Sequence, residues 1–236
     1  MKAIVLAGGF GTRLASVIGD IPKPMAPVGE TPFLAILLNY LKDQGVTEVV
    51  IAVHHLKEKI IEYFGSLYKG MSIRYSDEKE PLGTGGGINQ ALSFFQEDEP
   101  ILCVNGDSFL EISLQDLMLH YQKESPDLVI GLRFIDNCNR YGQAHLDHGR
   151  IIKFDSQGSS GPGFVNGGIY VLSRKLFKSL DLQGPFSFEE EILQNKLYKI
   201  KCGYVVTKGK FLDIGVPESY KKSEIFFKNV LREQQG

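Results

Sequence analysis

Residues 1–7, MKAIVLA, form an apolar run without the polar alternation of a surface strand, and a glycine-rich loop follows directly. Such a run is typical of a strand that is buried on both faces, as in parallel sheets covered by helices on both sides. Further apolar runs alternate with amphipathic segments along the chain, as EVVIAV, MSIRYS, PILCVN and DLVIGLRF. This alternation predicts a doubly wound, mostly parallel sheet over residues 1–135.

The remaining residues, 136–236, have a different pattern. Short strands separated by turns are predicted at GQAHLD, GRIIKFD and FVNGGIYVLS, followed by a helix at FEEEILQNKLYK. The segment FLDIGVPESYKKSEIFFKNV predicts a helix that starts at Pro217 and an amphipathic C-terminal helix. We expect the short strands to form a small β-rich lobe over the mouth of the sheet. The predicted fold class is α/β, a Rossmann-like doubly wound sheet, mixed but mostly parallel, with this lobe. With 236 residues, 43% of them hydrophobic, the chain suits one domain, 1–236.

Charge and cysteine content exclude several classes of protein. The net charge is -2 and basic residues do not cluster beyond pairs, so no nucleic-acid partner is expected. The three cysteines are far apart, which argues against disulfides and a zinc site and favours a reducing cytoplasm. No apolar run approaches the roughly 18 residues of a membrane span, and the N-terminal residues predict a strand and not a signal peptide. We therefore expect a cytoplasmic protein without a membrane partner.

The loop after the first strand, LAGGFGTRL, carries three glycines and Arg13, and Lys23 follows nine residues after Leu14. Glycines let backbone N–H groups approach an anion, while Arg13 and Lys23 supply positive charge, so the loop predicts a phosphate-bearing ligand. The spacing matches neither the P-loop nor the dinucleotide fingerprint. The alternative interpretation is a tight turn with a solvated arginine.

Two aspartates each follow an apolar segment, Asp107 in PILCVNGD and Asp213 in FLDIG. Ligands of such sheets bind beyond the carboxyl ends of the strands, where the NGD segment and the glycine-rich loop both lie. Mg²⁺ that is bound to phosphates takes one or two protein carboxylates, which makes both residues candidate ligands. The alternatives are a helix cap for Asp107 and a turn for Asp213.

Three segments are candidates for binding a base and a sugar. Glu80, in EKEPLGTGG, could accept the adjacent N–H donors of guanine, with backbone contacts at Gly83. Asn166 and Gly168 in FVNGGIYV, and Glu189 at a helix start, could hold sugar hydroxyls. The alternatives are a solvated Glu80, an Asn-Gly turn, and a favourable charge at the helix N-terminus for Glu189.

Taken together, these segments resemble the sugar-1-phosphate nucleotidylyltransferases. The motifs shared in order over essentially the whole chain are MKAIVLAGGFGTRL, PKPMAPV, EPLGTGG, VNGD, FVNGGIY and FLDIGVPESY. DIPKPMAPV, IIEYFG and EPLGTGG look most like the D-glycero-α-D-manno-heptose 1-phosphate guanylyltransferases, which make GDP-heptose for bacterial surface polysaccharides. N-acetylmuramate 1-phosphate uridylyltransferases and mannose-1-phosphate guanylyltransferases are the nearest alternatives.

The resemblance implies the nucleotide-diphospho-sugar transferase fold and a Mg²⁺-dependent reaction of GTP with a sugar 1-phosphate. A glycosyltransferase and a non-catalytic nucleotide-sugar sensor are alternatives from other classes. A glycosyltransferase usually carries a DxD triplet, which this sequence lacks. A sensor would be expected to lose Lys23 or an aspartate, and this chain keeps them. The oligomeric state stays open, with a homodimer through the β-rich lobe or the C-terminal helix as one option.

The resemblance also implies residue roles. Arg13 would lie on the leaving phosphates, Lys23 would bridge nucleotide and sugar phosphate, Asp107 and Asp213 would hold Mg²⁺, and Arg13, Lys23 and Asp107 would be catalytic. Residues 1–135 would form the nucleotide-binding half, with contacts at Leu6, Ala7, Gly8, Gly9, Gly11, Thr12, Arg13, Glu80, Gly83, Asn105 and Gly106. Residues 136–236 would form the sugar-binding half and the C-terminal helix, with sugar-phosphate contacts at Gly142, Lys153, Asn166, Gly168 and Glu189.

One segment departs from the family pattern. Many relatives carry a Glu-Lys pair after the strand equivalent to RIIKF, and that lysine contacts the sugar phosphate. Here the chain reads Phe154-Asp155-Ser156-Gln157, followed by SSGPG. Either another cation supplies this charge or the segment becomes ordered when substrate binds. The candidate cations are Lys153, Arg133 and Arg140.

Overall fold

The computed structural model describes residues 1–156, 158 and 160–233. In this part of the chain the strands are β1 (Lys2–Leu6), β2 (Pro27–Val28), β3 (Thr31–Pro32), β4 (Glu48–Val53), β5 (Leu67–Tyr68), β6 (Met71–Asp77), β7 (Ile101–Asn105), β8 (Ser108–Leu110), β9 (Leu128–Ile135), β10 (Gln143–Asp147), β11 (Arg150–Asp155), β12 (Gly163–Leu172), β13 (Cys202–Thr207) and β14 (Phe211–Asp213). The α-helices are α1 (Ala15–Ile18), α2 (Phe33–Asp43), α3 (Lys57–Phe64), α4 (Gly83–Ala91), α5 (Leu114–Glu124), α6 (Lys175–Ser179), α7 (Pro217–Lys221) and α8 (Ser223–Glu233). None of these helices is long and apolar enough to cross a membrane.

The main sheet has ten strands within the described residues. Its order along the main path is β5, β6, β4, β1, β7, β12, β10 and β11, and β9 and β13 continue from the other edge of β12. β1 pairs in parallel with both β4 and β7, and β4 pairs in parallel with β6. The parallel core predicted from the apolar runs is therefore confirmed.

Burial on both faces explains why the central strands lack polar alternation. The side chains of Ala3 and Val5 in β1 enter an apolar cluster that includes Leu37 of α2. Ile4, which points to the opposite face, enters a second cluster that includes Ile88 of α4. All of these β1 side chains are fully buried. Helices therefore cover both faces of the sheet, which is the doubly wound arrangement.

The β-rich segment is part of the same sheet, whereas the sequence predicted a lobe over its mouth. β12 pairs antiparallel with β7, with Ile169 opposite Val104, and β10 and β11 extend from its first half. β9, predicted within the parallel series, pairs antiparallel with β12 and parallel with β13. The physical reason is burial, because Tyr170 and Val171 in the second half of β12 are 0% exposed and require an interior position.

Two helical segments have details that the sequence pattern does not show. α4 begins at Gly83, so the glycines of GTGGG are themselves helical. A Cβ on Gly85 would lie 2.1 Å from the Phe186 ring, so the helix packs too tightly there for a larger residue. The helix predicted at FEEEILQNKLYK is a π-helical segment, Phe188–Gln194, followed by a separate 3₁₀ turn.

A small two-stranded sheet positions the second aspartate. β14 pairs antiparallel with β8, and Asp213 lies opposite Ser108. Directly beyond this pair, the Ile214 N–H donates to the Asp107 carbonyl oxygen at 3.0 Å. The pairing therefore brings Asp213, which is distant from Asp107 in the sequence, to the carboxyl end of β7.

Candidate active site

Two adjoining cavities open at the carboxyl ends of β1 and β7. The β6-side cavity, of about 380 Å³, is lined by Leu6, Gly8, Gly9, Phe10, Lys23, Pro24, Glu78, Pro81, Gly83, Thr84, Asn105, Gly106, Asp107 and Glu189. The β14-side cavity, of about 360 Å³, is lined by Gly9, Gly11, Thr12, Arg13, Lys23, Asn105, Asp107, Ser108, Tyr141, Asn166, Gly168, Phe211, Asp213 and Gly215. Gly9, Lys23, Asn105 and Asp107 line both, and they form the wall that the cavities share.

The glycine-rich loop runs along both cavities. Gly11 has φ +60°, and a Cβ there would lie 2.9 Å from the Lys23 Cβ, so only glycine lets the loop pass over the Lys23 turn. The Leu14 side chain is fully buried and fixes the end of the loop. Thr12 and Arg13 are exposed and line the β14-side cavity. The loop thus contributes its glycines and Arg13 to the walls of the cavities.

Lys23 and Asp107 meet in the shared wall. Lys23 begins a short 3₁₀ turn, and the prolines on either side of it, Pro22 and Pro24, are both buried. Its Nζ donates to Asp107 Oδ2 at 2.5 Å, and the Lys23 side chain is only 15% exposed. The structure therefore brings together a cation and a carboxylate that lie far apart in the sequence.

Asp213 lies beside this pair. Burial raises the pKa of the Asp213 carboxyl, the nearby Asp107 carboxylate raises it further, and the positive charges of Lys23 and Arg140 oppose the rise. Its Oδ1 also accepts a hydrogen bond from the Gly215 N–H. Two carboxylates that repel one another in a partly buried place are the setting in which a divalent cation is favourable.

The donors available here fit Mg²⁺. In residues 1–156, 158 and 160–233 no group of three or more His, Cys, Asp or Glu side chains converges as a metal site. A metal that the protein alone must hold usually needs such a group, whereas Mg²⁺ shared with phosphates needs one or two carboxylates. Asp107 and Asp213 supply that number.

Two buried polar atoms in the β14-side cavity lack partners. Among the described residues, Asn105 Oδ1 and Ser108 Oγ form no hydrogen bond. Both side chains flank Gly168, which has φ +73° and where a Cβ would lie 2.5 Å from Ser108 Oγ. An unsatisfied buried polar atom costs about 1–3 kcal/mol, so these atoms mark a place where a polar ligand would be favourable. Sequence reasoning missed Ser108, although it follows Asp107 directly.

The strand ends at this site are held in close contact. The Gly106 N–H donates to the Leu6 carbonyl oxygen at 2.9 Å. A Cβ on Gly106 would lie 2.4 Å from that oxygen, so any larger residue would push β1 and the loop after β7 apart. The close approach fixes the glycine-rich loop relative to Asp107.

Of the two glutamates in the turn after β6, the one that lines the β6-side cavity is Glu78, not Glu80. Glu80 is exposed and lines neither cavity, whereas Glu78 is buried and lines the β6-side cavity. Glu78 Oε2 accepts the Leu82 N–H at 3.0 Å, and its carbonyl oxygen lies 2.7 Å from His54 Nδ1. Burial raises the pKa of the Glu78 carboxyl. The signal that could have identified it is its position, directly after the last residue of β6.

The residues predicted to hold a sugar separate into two groups. Asn166 and Gly168 line the β14-side cavity, whereas Glu189 lines the β6-side cavity, where its Oε2 accepts the Thr84 hydroxyl at 2.8 Å. The Asn166 amide is already engaged, since Nδ2 donates to the Tyr170 hydroxyl and Oδ1 accepts the Gly168 N–H.

Three other predicted contact residues lie outside both cavities. Ala7 is buried, and its N–H donates to the Ala52 carbonyl oxygen at the end of β4. Lys153 lies on β11 with its side chain 65% exposed, and its Nζ lies 2.7 Å from an Asp155 carboxylate oxygen. Gly142 packs against β11, where a Cβ would lie 2.7 Å from the Asp155 carbonyl oxygen. Gln157, part of the segment that departs from the family pattern, lies outside the described residues.

Comparisons with known proteins place this geometry in a family. A D-glycero-alpha-D-manno-heptose 1-phosphate guanylyltransferase of Campylobacter jejuni subsp. jejuni is 44% identical over 221 residues, covering 93% of this chain and 97% of the relative. A protein of the same name from Aneurinibacillus thermoaerophilus is 37% identical, over 95% of this chain and 97% of its own length.

The fold is shared with a solved structure. The crystal structure of HddC from Yersinia pseudotuberculosis superposes with a TM-score of 0.84 at 35% identity, over 96% of this chain and 99% of that chain, and a second crystal structure holds HddC complexed with GMP-PN. The α/β fold class predicted from the sequence is confirmed by this agreement. The model of the family described as Nucleotidyl transferase matches residues 2–229, so the chain belongs to the nucleotidyl transferase family, as the sequence motifs indicated.

Proposed function

We propose that this chain is a D-glycero-α-D-manno-heptose 1-phosphate guanylyltransferase, which converts GTP and D-glycero-α-D-manno-heptose 1-phosphate to GDP-heptose and pyrophosphate. The observation that carries the proposal is the cluster of Lys23, Asp107 and Asp213 at the wall between two cavities. The reaction needs two anionic substrates side by side, and the cluster lies between two cavities that could each hold one of them. Two proteins that carry this name are similar to the chain over nearly their whole length, which supports the choice of substrates.

In the proposed complex the nucleotide occupies the β6-side cavity and its phosphates follow the glycine-rich loop toward Arg13. The heptose 1-phosphate occupies the β14-side cavity. An oxygen of its phosphate forms a bond to the α-phosphorus of GTP, and the bond from that phosphorus to the bridging oxygen of pyrophosphate breaks. The electron pair of the broken bond leaves with pyrophosphate, so no covalent enzyme intermediate is needed.

Charge neutralisation is the main task of this site. The attacking phosphate is already an anion at neutral pH, so the barrier comes from bringing two anions together and from the charge on the leaving group. The Lys23 ammonium, in the shared wall, is placed to contact phosphates from both cavities, and Arg13 would neutralise the leaving pyrophosphate. Positioning and electrostatic stabilisation of this kind are the largest contributions to phosphoryl and nucleotidyl transfer.

We further propose that Asp107 and Asp213 hold Mg²⁺ together with substrate phosphates. The ion would supply further positive charge to the phosphate oxygens. Lys23 forms an ion pair with Asp107, so one of the two carboxylates already has a cationic partner. This arrangement leaves the pair with net negative charge that suits a divalent cation.

Glu78 is the residue that we propose selects guanine. An ionised carboxylate accepts two hydrogen bonds from the adjacent N–H donors of guanine, whereas the acceptors of uracil and cytosine would face it unfavourably. Glu78 lines the β6-side cavity and its position is fixed by the Leu82 N–H. The same chemistry was predicted for Glu80, which lies outside the cavity.

Measurement of pyrophosphate release in the presence of Mg²⁺ tests the function. GTP, UTP, CTP, ATP and dTTP are each combined with the 1-phosphates of heptose, mannose and N-acetylmuramate. We expect turnover with GTP and the heptose phosphate. Turnover confined to mannose 1-phosphate, or to UTP with the muramate sugar, would contradict the proposed substrates, and release with no pair would contradict the proposed reaction.

We place the reaction in the cytoplasm, and its product in the synthesis of bacterial surface polysaccharides. Cys103, Cys138 and Cys202 are all free and buried, which suits a reducing compartment. A substrate that is a nucleoside triphosphate also favours the cytoplasm.

A further inference from the structure

We propose that Phe10 covers one face of the guanine ring of GTP, while Glu78 accepts the N–H donors at the edge of that ring. The inference rests on the proposed function, because it concerns the nucleotide substrate of that reaction. It assigns a role to a residue of the glycine-rich loop that phosphate binding does not explain. A phenyl ring has neither a charge nor an N–H or O–H donor to offer to a phosphate.

Phe10 is an exposed aromatic residue in the wall of the β6-side cavity. Among the described residues that line this cavity, it is the one aromatic residue. Leu14, at the end of the same loop, is fully buried in the core, whereas Phe10 is 53% exposed. Apolar and aromatic side chains in a cavity wall favour a ligand that has an apolar surface of its own. The core of the protein therefore accounts for Leu14 but not for Phe10.

Two histidines fix the side of the loop on which the Phe10 ring lies. His54 and His55 directly follow β4, the strand next to β1 in the sheet. The Phe10 ring contacts the His54 ring edge to face, with 5.6 Å between centroids, and its centroid lies 5.5 Å from that of His55. Because β4 and β7 lie on opposite sides of β1, these contacts hold the ring on the side away from Asp107.

His54 also links the Phe10 ring to Glu78. The His54 Nδ1 lies 2.7 Å from the Glu78 carbonyl oxygen, and since a carbonyl oxygen only accepts, this nitrogen carries the hydrogen. A Cβ on Gly8 would lie 3.3 Å from the His54 Cβ and 3.2 Å from Glu78 Oε1, so the loop, the imidazole and the carboxylate lie close together. One side chain therefore separates Phe10 from the residue that we assign to base recognition.

A nucleobase needs two kinds of contact, because it is flat. Its edge carries the donors and acceptors, whereas its faces bind well against an aromatic ring. The Glu78 carboxylate suits the edge and the Phe10 ring suits a face, and both residues line one cavity. Stacking depends little on which base is present, since every base has such a face. Glu78 therefore selects guanine, and Phe10 adds affinity for the nucleotide.

The test separates the base of GTP from its phosphates. Titration calorimetry with Mg²⁺ present compares the binding of GTP with that of inorganic tripolyphosphate, which has no base. Loss of the stacked ring is expected to weaken GTP binding by roughly 5- to 100-fold in Phe10→Ala, and less in Phe10→Leu, which keeps an apolar side chain. The affinity for tripolyphosphate should stay within about twofold of the wild type in both variants, because the glycines and cations that bind phosphate are unchanged.

Tyr198→Ala is the matched control, since it removes an exposed aromatic ring that lines neither cavity. Both affinities should be unchanged in this variant. If Phe10 served only to support the loop on the two histidines, Phe10→Ala would weaken the binding of GTP and of tripolyphosphate equally. Equal losses, or an unchanged affinity for GTP in Phe10→Ala, would overturn the inference.

A fluorescent variant gives a second readout. The sequence contains no tryptophan, so Phe10→Trp places a single indole at the proposed stacking position. GTP should quench its emission and tripolyphosphate should not, because only GTP brings a base against the ring. An emission that does not respond to GTP at concentrations where calorimetry shows binding would overturn the inference.

The binding measurements also distinguish this inference from the proposed reaction. Wild-type protein that binds GTP but releases no pyrophosphate with any sugar 1-phosphate would overturn the reaction alone, and the comparison of GTP with tripolyphosphate would still decide the role of Phe10. Wild-type protein that binds no GTP would overturn both.

Discussion

Replacement of Glu78 by glutamine is expected to weaken the selection of guanine without disturbing the fold. Glutamine has nearly the same shape and retains one oxygen that can accept the Leu82 N–H, now 3.0 Å from Glu78 Oε2. Its amide nitrogen, however, faces a guanine donor where the carboxylate offered an acceptor. The variant therefore loses one hydrogen bond to a charged group.

A hydrogen bond to a charged group contributes about 1.5–3 kcal/mol, which corresponds to a loss of roughly 10- to 150-fold in kcat/KM for GTP. The amide can both donate and accept, which matches the edge of uracil better, so the ratio of GTP to UTP turnover should fall further. Pyrophosphate release measured with each nucleotide at a fixed sugar 1-phosphate gives this ratio. Glu80→Gln is the matched control, because Glu80 is exposed and lines neither cavity.

The pH dependence of GTP affinity checks the same reasoning. Burial raises the pKa of Glu78 above the ordinary value of a glutamate. Since guanine binds the ionised form, affinity should be full above this raised pKa and should fall as the pH drops through it. Glu78→Gln has no proton to gain and should lack this dependence. A Glu78→Gln protein with wild-type nucleotide selectivity, or a Glu80→Gln protein that loses it, would refute the assignment of the base-reading carboxylate to Glu78.

Two further predictions concern the cluster and the strand ends. Lys23→Ala and Asp107→Asn should each lower turnover by about 100-fold or more. The thermal midpoint of each variant should stay close to that of the wild type, because the substitutions remove charge at the shared wall and not apolar packing. Near-normal turnover of either purified variant would contradict the proposed mechanism. Gly106→Ala should lower stability by about 1–3 kcal/mol in denaturant unfolding, because its Cβ would lie 2.4 Å from the Leu6 carbonyl oxygen. Gly9→Ala is the control for stability, since a Cβ there meets nothing within 4 Å, and equal midpoints for both alanine variants would contradict the packing argument.

The parallel half of the fold could be predicted because its signal is local. β1, β4 and β7 are apolar runs of a length that suits buried strands, and their alternation with amphipathic segments indicates a doubly wound, mostly parallel sheet. The second half could not be placed in the same way. β12 reads as a strand, but the sequence does not show that it inserts beside β7 or that β9 pairs with it antiparallel. Those pairings depend on partners far away in the chain.

The same distinction applies to the site. The proximity of the glycine-rich loop and Asp107 follows from the rule that ligand groups gather at strand ends, and the structure adds Lys23, from a 3₁₀ turn, beside Asp107. The turn after β6 carries two glutamates, and the sequence does not reveal which one turns inward. Glu78 is buried because it follows β6 without a gap, whereas Glu80 lies farther out on the turn. Lys153 similarly reads as a nearby cation, but it belongs to an exposed position of β11 and pairs with Asp155.

The composition of the β14-side cavity argues that the reaction is controlled by charge and not by proton transfer. Its described lining contains no histidine, and its titratable side chains are Arg13, Lys23, Asp107, Tyr141 and Asp213. A phosphate monoester of a sugar ionises fully with a pKa of about 6, so the nucleophile needs no base at neutral pH. Enzymes that must abstract a proton place a group with a pKa near the working pH beside the nucleophile. The nitrogen of Lys23 in this wall instead donates to Asp107. The fall in rate at low pH should therefore come from protonation of the substrates and of Glu78. Removal of a cation from the site should lower the rate without adding a further pKa to the plot of rate against pH.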